Sequence, residues 1–270
     1  MQGLHDFIPT ETKVRYINQL LKCGFGTIDF GSFVSPKAIP QMKDTADVLD
    51  QLNESESKLL AIVANERGAN DAARFDRISY LGYPFSVSEE FQKRNTNATI
   101  EESFSRVEAI QSIALKTNKK VVLYLSMGFG NPYGEEWHPD IVTAWCERLE
   151  KELGIEIMAL SDTVGAASPE IVSSLFETLI PSLEMVEFGA HLHTVPEGAE
   201  DLVSAAYVAG CRRFDGAIKG FGGCPMAKDD LTGNMPTERM ISWFNKNQIG
   251  TGVNASEFDQ AMLISTSVFS

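Results

Sequence analysis

The chain predicts an α/β fold built on a parallel sheet, and three observations predict it. Short apolar runs alternate with longer segments of helical periodicity along all 270 residues. Each run is followed by a helix able to carry the chain back across the sheet, so neighbouring strands run parallel through right-handed crossovers. No low-complexity linker and no short-period repeat interrupts the alternation, so residues 1–270 read as one domain.

The first helix spans about Thr10 to Cys23, where Val14, Ile17, Leu20 and Leu21 make one stripe and Gly24 stops it. Thr27–Gly31 is a short strand, followed by a loop over Ser35–Met42. A helix around Thr45 to Leu52 turns Ala46, Val48, Leu49 and Leu52 inward. Leu59–Ala64 is a strand, Asn70–Phe75 a short helix and Ile78–Tyr83 a strand. A long helix, Ile100–Thr117, leads to the strand Val121–Ser126. Helix Pro139–Leu153 ends at Gly154, before the strand Ile155–Leu160. Helix Ser168–Ile180 takes Ser168 as its cap and Pro169 in its first turn. Then come the strand Met185–His193, the helix Pro196–Ala209 stopped by Gly210, and the strand Arg212–Gly216. Helical stretches near Thr237–Lys246 and Ser256–Ile264 complete the chain. That makes seven strands behind an opening helix. An eight-stranded barrel opens on a strand and a doubly wound sheet tolerates seven, so the count alone does not choose.

The strand Met185–His193 carries the clearest chemistry. Its apolar run Val186–Ala190 ends in His191-Leu192-His193. Residues two apart on a strand share a face, so both imidazoles look the same way at the carboxyl end, where such folds place their chemistry. A same-face histidine pair there is a candidate metal site; on strand position alone, two ordinary strand-end histidines fit equally well.

Composition narrows the field. Hydrophobic residues are 43% and charged ones 22%, which suits an ordinary core. A net charge of -14 argues against a nucleic-acid partner or an anionic membrane surface, though a local basic cluster could hold a phosphorylated small molecule. Cys23, Cys146, Cys211 and Cys224 show neither CxxC nor framework spacing, which points to a reducing compartment. There is no signal peptide and no bilayer-length apolar run, so a cytoplasmic setting is expected, in which the sequon at Asn97 means nothing.

Several motifs lie in collinear order over essentially the whole chain. They are Ser32-Phe-Val-Ser-Pro-Lys37, Pro40-Gln-Met42, Ser88-Glu-Glu-Phe91, Asn95-Thr-Asn97, Ile100-Glu-Glu-Ser-Phe104, Ser161-Asp-Thr-Val-Gly165, His191-Leu-His193, Gly222-Gly-Cys-Pro225, Gly233-Asn-Met-Pro-Thr-Glu238 and Thr251-Gly-Val-Asn254. With them the chain resembles the 3-hydroxy-3-methylglutaryl-CoA lyases, divalent-metal enzymes on a (β/α)8 TIM barrel. The Gly-Gly-Cys-Pro loop followed by Gly-Asn-x-x-Thr-Glu is the specific part; the Asp-Thr and His-x-His pieces are shared with related synthases and aldolases. These lyases carry Arg-Asp-Gly-Leu-Gln at the end of the first strand. Here Gln2 fits the last position of that motif, judged from its spacing to Ile8 and to Thr10-Glu-Thr-Lys13. The Arg and Asp would then lie before Met1, so the expectation is a barrel whose first strand is missing from this chain.

The resemblance implies a reaction that splits a carbon–carbon bond of 3-hydroxy-3-methylglutaryl-CoA, or a close 3-hydroxyacyl-CoA, into acetyl-CoA and acetoacetate. It makes His191, His193 and Asn234 ligands of Mg²⁺ or Mn²⁺, Cys224 the catalytic thiol on a glycine-rich lid, and Gln2 a substrate contact. Asp29 stands where the family has Glu, one methylene longer, and could act as a base. Asp162 matches a family active-site Asp, with a strand-to-helix turn as its plainer role. Thr194 replaces an Asp that could support the metal ligands. Lys93, Arg94 and Asn95, read as a loop, could hold the CoA; a solvated charge pair at a helix start is an equal reading. Glu135, Glu136 and His138 read as solvated loop, Phe129 as packing near the barrel mouth and His5 as surface. The expected partners are a small acyl-CoA and a second copy in a homodimer, with no nucleic acid and no membrane. The rivals are a condensing synthase of the same barrel, which usually carries further C-terminal domains, and a non-catalytic acyl-CoA-binding homologue.

Overall fold

The computed structural model describes residues 1–2, 4, 6–222 and 232–269. Its strands are β1 (Thr27–Ser32), β2 (Lys58–Ile62), β3 (Ile78–Ser86), β4 (Lys120–Ser126), β5 (Ile157–Ser161), β6 (Glu187–His191) and β7 (Arg213–Asp215). They are all parallel and lie in chain order, each paired with the next. A doubly wound sheet reverses its strand order at a switch point. A strictly sequential order, with the crossovers helical, is that of the (β/α)8 barrel. β1 and β7 are not paired with each other, and the place of an eighth strand lies between them.

The helices are α1 (Thr10–Lys22), α2 (Thr45–Asp50), α3 (Glu66–Ala73), α4 (Glu89–Thr96), α5 (Ile100–Lys116), α6 (Pro139–Leu153), α7 (Pro169–Ser182), α8 (Ala199–Val208), α9 (Thr237–Lys246) and α10 (Ala255–Val268). Strand alternation gives two cores. Outward-facing Ile28, Phe30, Leu81, Leu123, Leu160 and Phe188 pack beneath the helices in the main cluster. Inward-facing Leu60, Val122 and Ile157 fill the barrel with Ile62, Tyr80 and Tyr124. A third cluster joins Tyr16 of α1 and Cys23 at its end to Phe258 and Ala261 of α10 and to Ile218 after β7, so the helix layer closes where the sheet does not. No helix among the described residues is long and apolar enough to cross a membrane.

Three readings need correction. Lys93, Arg94 and Asn95 do not form a loop: they lie on α4. That helix has little apolar periodicity, with only Phe91 and Gln92 buried, and is held by its caps. Ser88 accepts from Phe91 N–H at 3.1 Å, and Asn97 closes the far end in the left-handed conformation. Glu135 is not a solvated loop residue. Its carboxylate accepts from Glu90 N–H at 3.0 Å and from the Ser88 hydroxyl, pinning the start of α4. The helix placed at Asn70–Phe75 begins earlier, at Glu66, because Asn65 caps it through Gly68 N–H. Glu136 and His138 are exposed, as expected, and Phe129 is buried in the main core.

Lys13 of α1 is buried, with Nζ 2.6 Å from Asp44 Oδ1 and a second bond to the Gln41 carbonyl. Thr10 donates to the other carboxylate oxygen at 2.8 Å, so the pair ties α1 to the segment after β1. Removing one partner leaves a buried charge uncompensated, which costs about 3–5 kcal/mol, whereas an apolar replacement of both is close to neutral. Urea unfolding should therefore show Asp44→Ala far less stable than Lys13→Met/Asp44→Leu; equal losses would contradict this account.

Candidate functional site

The site grows from the end of β6. His191 is its last residue and His193 follows two positions on, with ring centroids 5.6 Å apart. The parallel register sets His191 against Asp215 of β7, and Asp215 Oδ2 lies 3.2 Å from His191 Nδ1. His193 Nδ1 lies 3.1 Å from the Thr232 carbonyl. A carbonyl only accepts, so this nitrogen carries the proton and Nε2 keeps its lone pair. Burial, reinforced by His191, lowers the His193 pKa to about 4, so the ring is neutral at neutral pH.

Beyond residue 231 the chain returns along the end of β6. Met235 N–H donates to Leu192 O at 2.9 Å and Thr194 N–H to Gly233 O at 3.0 Å. This makes His193 and Asn234 an antiparallel bridge pair. Directly opposed residues project to one face, so both imidazoles and the Asn234 amide share it. Asn234 Nδ2 donates to Phe221 O at 3.1 Å, which leaves the amide oxygen as a donor atom for a cation. Among the described residues no three His, Cys, Asp or Glu gather into a metal cluster. The donor set is instead two imidazole nitrogens and a neutral oxygen, which fits a divalent ion accepting mixed N and O ligands.

Two neighbours complete the face. Asp29 alternates with buried Ile28 and Phe30 and so points into the barrel. The protein atoms packed around it, followed by Asp215, raise its pKa to about 7. Solvent nevertheless reaches the side chain, so it lines a wet interior, which tempers the desolvation. Tyr124 of β4 meets the His191 ring edge-on at 5.1 Å. Sequence reading passed over both Asp215 and Tyr124. For Asp215 a signal was present: it sits two residues from Arg213 on the strand that comes after the histidine strand.

The remaining candidates fall elsewhere. Asp162 is buried, and its two oxygens accept from Ala166 N–H at 2.8 Å and Ala167 N–H at 2.9 Å. Burial raises its pKa against these bonds. Its carboxylate orders the turn before α7, whose cap is Ser168, while its own N–H donates to the His191 carbonyl at 3.0 Å. Gln2 is exposed; the neighbouring amino terminus lies within electrostatic reach of Asp29. Arg94 pairs with Glu90 at 2.6 Å and lies over the Tyr133 ring, and Lys93 pairs with Glu89. Thr194 Oγ1 donates to Val195 O at 3.0 Å. Cys224 and His5 lie outside the described residues. The described thiols are all buried, and burial pushes Cys23 to about 11, Cys211 to about 12 and Cys146 up as well, which leaves them poor nucleophiles.

The chain matches the HMGL-like family model over residues 1–264. It is 33% identical over 264 residues to the cytoplasmic 3-hydroxy-3-methylglutaryl-CoA lyase of Rattus norvegicus, covering 97% of this chain and 76% of that protein. The fold matches the crystal structure of the HMG-CoA lyase from Brucella melitensis with a TM-score of 0.90 at 29% identity, covering 98% of this chain and 93% of that one. It also matches an HMG-CoA lyase from Acinetobacter baumannii in complex with coenzyme A and 3-methylmalate, with a TM-score of 0.91 at 28% identity, over 99% and 87% of the two chains.

If Asp162 shapes the turn, Asp162→Ala should lower unfolding stability by about 1–3 kcal/mol, the usual cost of leaving buried donors unpaired, with water replacing part of the loss at exposed Ala166. Asp162→Asn, which keeps one acceptor, should lose less. Denaturant titration that ranked Asn at or below Ala would contradict the turn role.

Proposed function

The chain belongs to the HMGL-like family, and from that premise we propose that it is a lyase cleaving 3-hydroxy-3-methylglutaryl-CoA, or a close 3-hydroxyacyl-CoA, to acetyl-CoA and acetoacetate. The observation that carries this reading is the shared face of His191, His193 and Asn234, with each imidazole already engaged at Nδ1. These three residues would hold Mg²⁺ or Mn²⁺, which when bound supplies Lewis-acid polarisation of the substrate's hydroxyl and carboxylate oxygens.

The protein's own groups account for the proton traffic. The tertiary hydroxyl must lose a proton as the bond between its carbon and the thioester's α-carbon breaks. The electron pair leaves as the acetyl-CoA enolate, which must then gain a proton. Asp29 is the carboxylate suited to the first task, because a pKa near 7 lets it accept a proton at neutral pH at little cost. Asp162 holds the loop beside the His191 carbonyl and acts by positioning. Cys224 is assigned the return of the proton, and Gln2 a contact to the substrate. Arg94 and Asn95, on α4 beyond β3, are assigned to the CoA end, where the guanidinium already lies over Tyr133. A homodimer and a cytoplasmic setting belong to the same proposal.

The test is acetoacetate release from 3-hydroxy-3-methylglutaryl-CoA with Mg²⁺ or Mn²⁺ present. His193→Ala should lose at least about 100-fold, since even losing a partner that only supports a metal ligand costs about 10–100-fold. No acetoacetate from the unaltered chain would reject the assignment. Separately, Asp215→Ala should weaken Mn²⁺ binding about 10–100-fold by freeing the His191 ring to turn. An unchanged calorimetric titration would remove Asp215 from the site.

A further inference from the structure

Phe221 and Phe269 stack with ring centroids 4.5 Å apart and planes inclined by 21°. They come from distant parts of the chain: Phe221 follows the short turn after β7, and Phe269 follows α10. Tyr16 of α1 meets Phe269 edge-on at 5.8 Å, so the ring is held from a second direction. The end of α10 thereby fixes the position of Phe221.

Phe221 in turn touches the site through its backbone. Its carbonyl accepts from Asn234 Nδ2 at 3.1 Å. A primary amide offers a donor end and an acceptor end, and a carbonyl partner can take only the donor. The Phe221 carbonyl therefore decides which end of Asn234 is presented to the face it shares with His193. The space is closely fitted: a Cβ on Gly222 would lie 2.7 Å from Asn234 Nδ2, and Gly222 holds φ at +106°, which favours glycine. Asn234 N–H is fixed as well, donating to Gly220 O at 3.1 Å.

We propose that Phe269, by stacking on Phe221, is a positioning residue that orients the Asn234 amide with its oxygen towards the face carrying His191 and His193. This rests on the reading of Asn234 as an oxygen donor to a divalent cation. It adds a remote control of that donor, running from α10 through one ring stack and one hydrogen bond.

Mn²⁺ binding followed by electron paramagnetic resonance tests it without any turnover. The unaltered chain should bind. Phe269→Leu, which keeps apolar volume against Tyr16 but loses the stack, should bind about tenfold more weakly, at the lower end of the effect of removing a partner that orients a ligand. Phe269→Tyr should stay within about twofold. Gly222→Ala, which leaves both rings in place and crowds the amide, should also lose about tenfold. In an Asn234→Ala background, Phe269→Leu should add less than about twofold, because coupled residues are not additive. Circular dichroism and thermal melting show that each variant is folded. Unchanged Mn²⁺ affinity in folded Phe269→Leu or Gly222→Ala, or an undiminished Phe269→Leu effect in the Asn234→Ala background, overturns the positioning role alone. Failure of the unaltered chain to bind Mn²⁺ overturns the reading of the three donors and this inference with it.

Discussion

Two backbone hydrogen bonds decide where the site lies: Met235 N–H to Leu192 O, and Thr194 N–H to Gly233 O. The sheet is parallel throughout, yet at the top of β6 these bonds add a short antiparallel pairing. Met235 is bonded on both sides, because its carbonyl accepts from Ala217 N–H at 3.0 Å beyond β7. Its side chain is buried in the main core, so the returning segment cannot slide without exposing it. A slip of one residue would turn Asn234 to the opposite face from His193. Register at this single crossing thus sets which side chains share the face.

The interior around that crossing is polar and wet on one side, apolar on the other. Leu60, Val122 and Ile157 fill part of the barrel, while Asp29 and Asp215 lie on the side of β1 and β7. Two carboxylates near each other resist ionising together, and after burial Asp215 is the next cause of the raised Asp29 pKa. His191 favours the charged form of Asp29, but burial and Asp215 outweigh it. The buried His193 is driven neutral by its own desolvation, with His191 adding to it. One environment therefore yields a free imidazole nitrogen and a carboxyl poised to exchange a proton near neutral pH, with no special residue added for either purpose.

Strands such as β2, β4 and β5 were legible because each is an apolar run buried on both faces. Their sequential order was not, since seven strands suit two topologies and pairing is a long-range property. α4 escaped detection because its start is fixed by Glu135, roughly 45 residues away in sequence, rather than by a stripe of its own. The same-face direction of His191 and His193 follows from strand geometry alone. Asn234 followed only from resemblance, because a residue after a glycine reads as a turn until its cross-strand partner is known.

The support for His191 shows where such reasoning must look. Thr194 stands one residue past the second histidine, and losing an acid there reads as a loss of support for the ligands. Yet a residue adjacent to His193 in the chain points to the other side of the strand. A side chain that holds an imidazole by Nδ1 has to come from the same face, and in a parallel barrel the nearest such position is on the next strand in register. Asp215 occupies it, opposite His191, through the pairing that also aligns Gly189 with Arg213. The carboxylate that holds a strand-end imidazole is therefore found by aligning β6 with β7, and its presence is independent of the residue next to the second histidine.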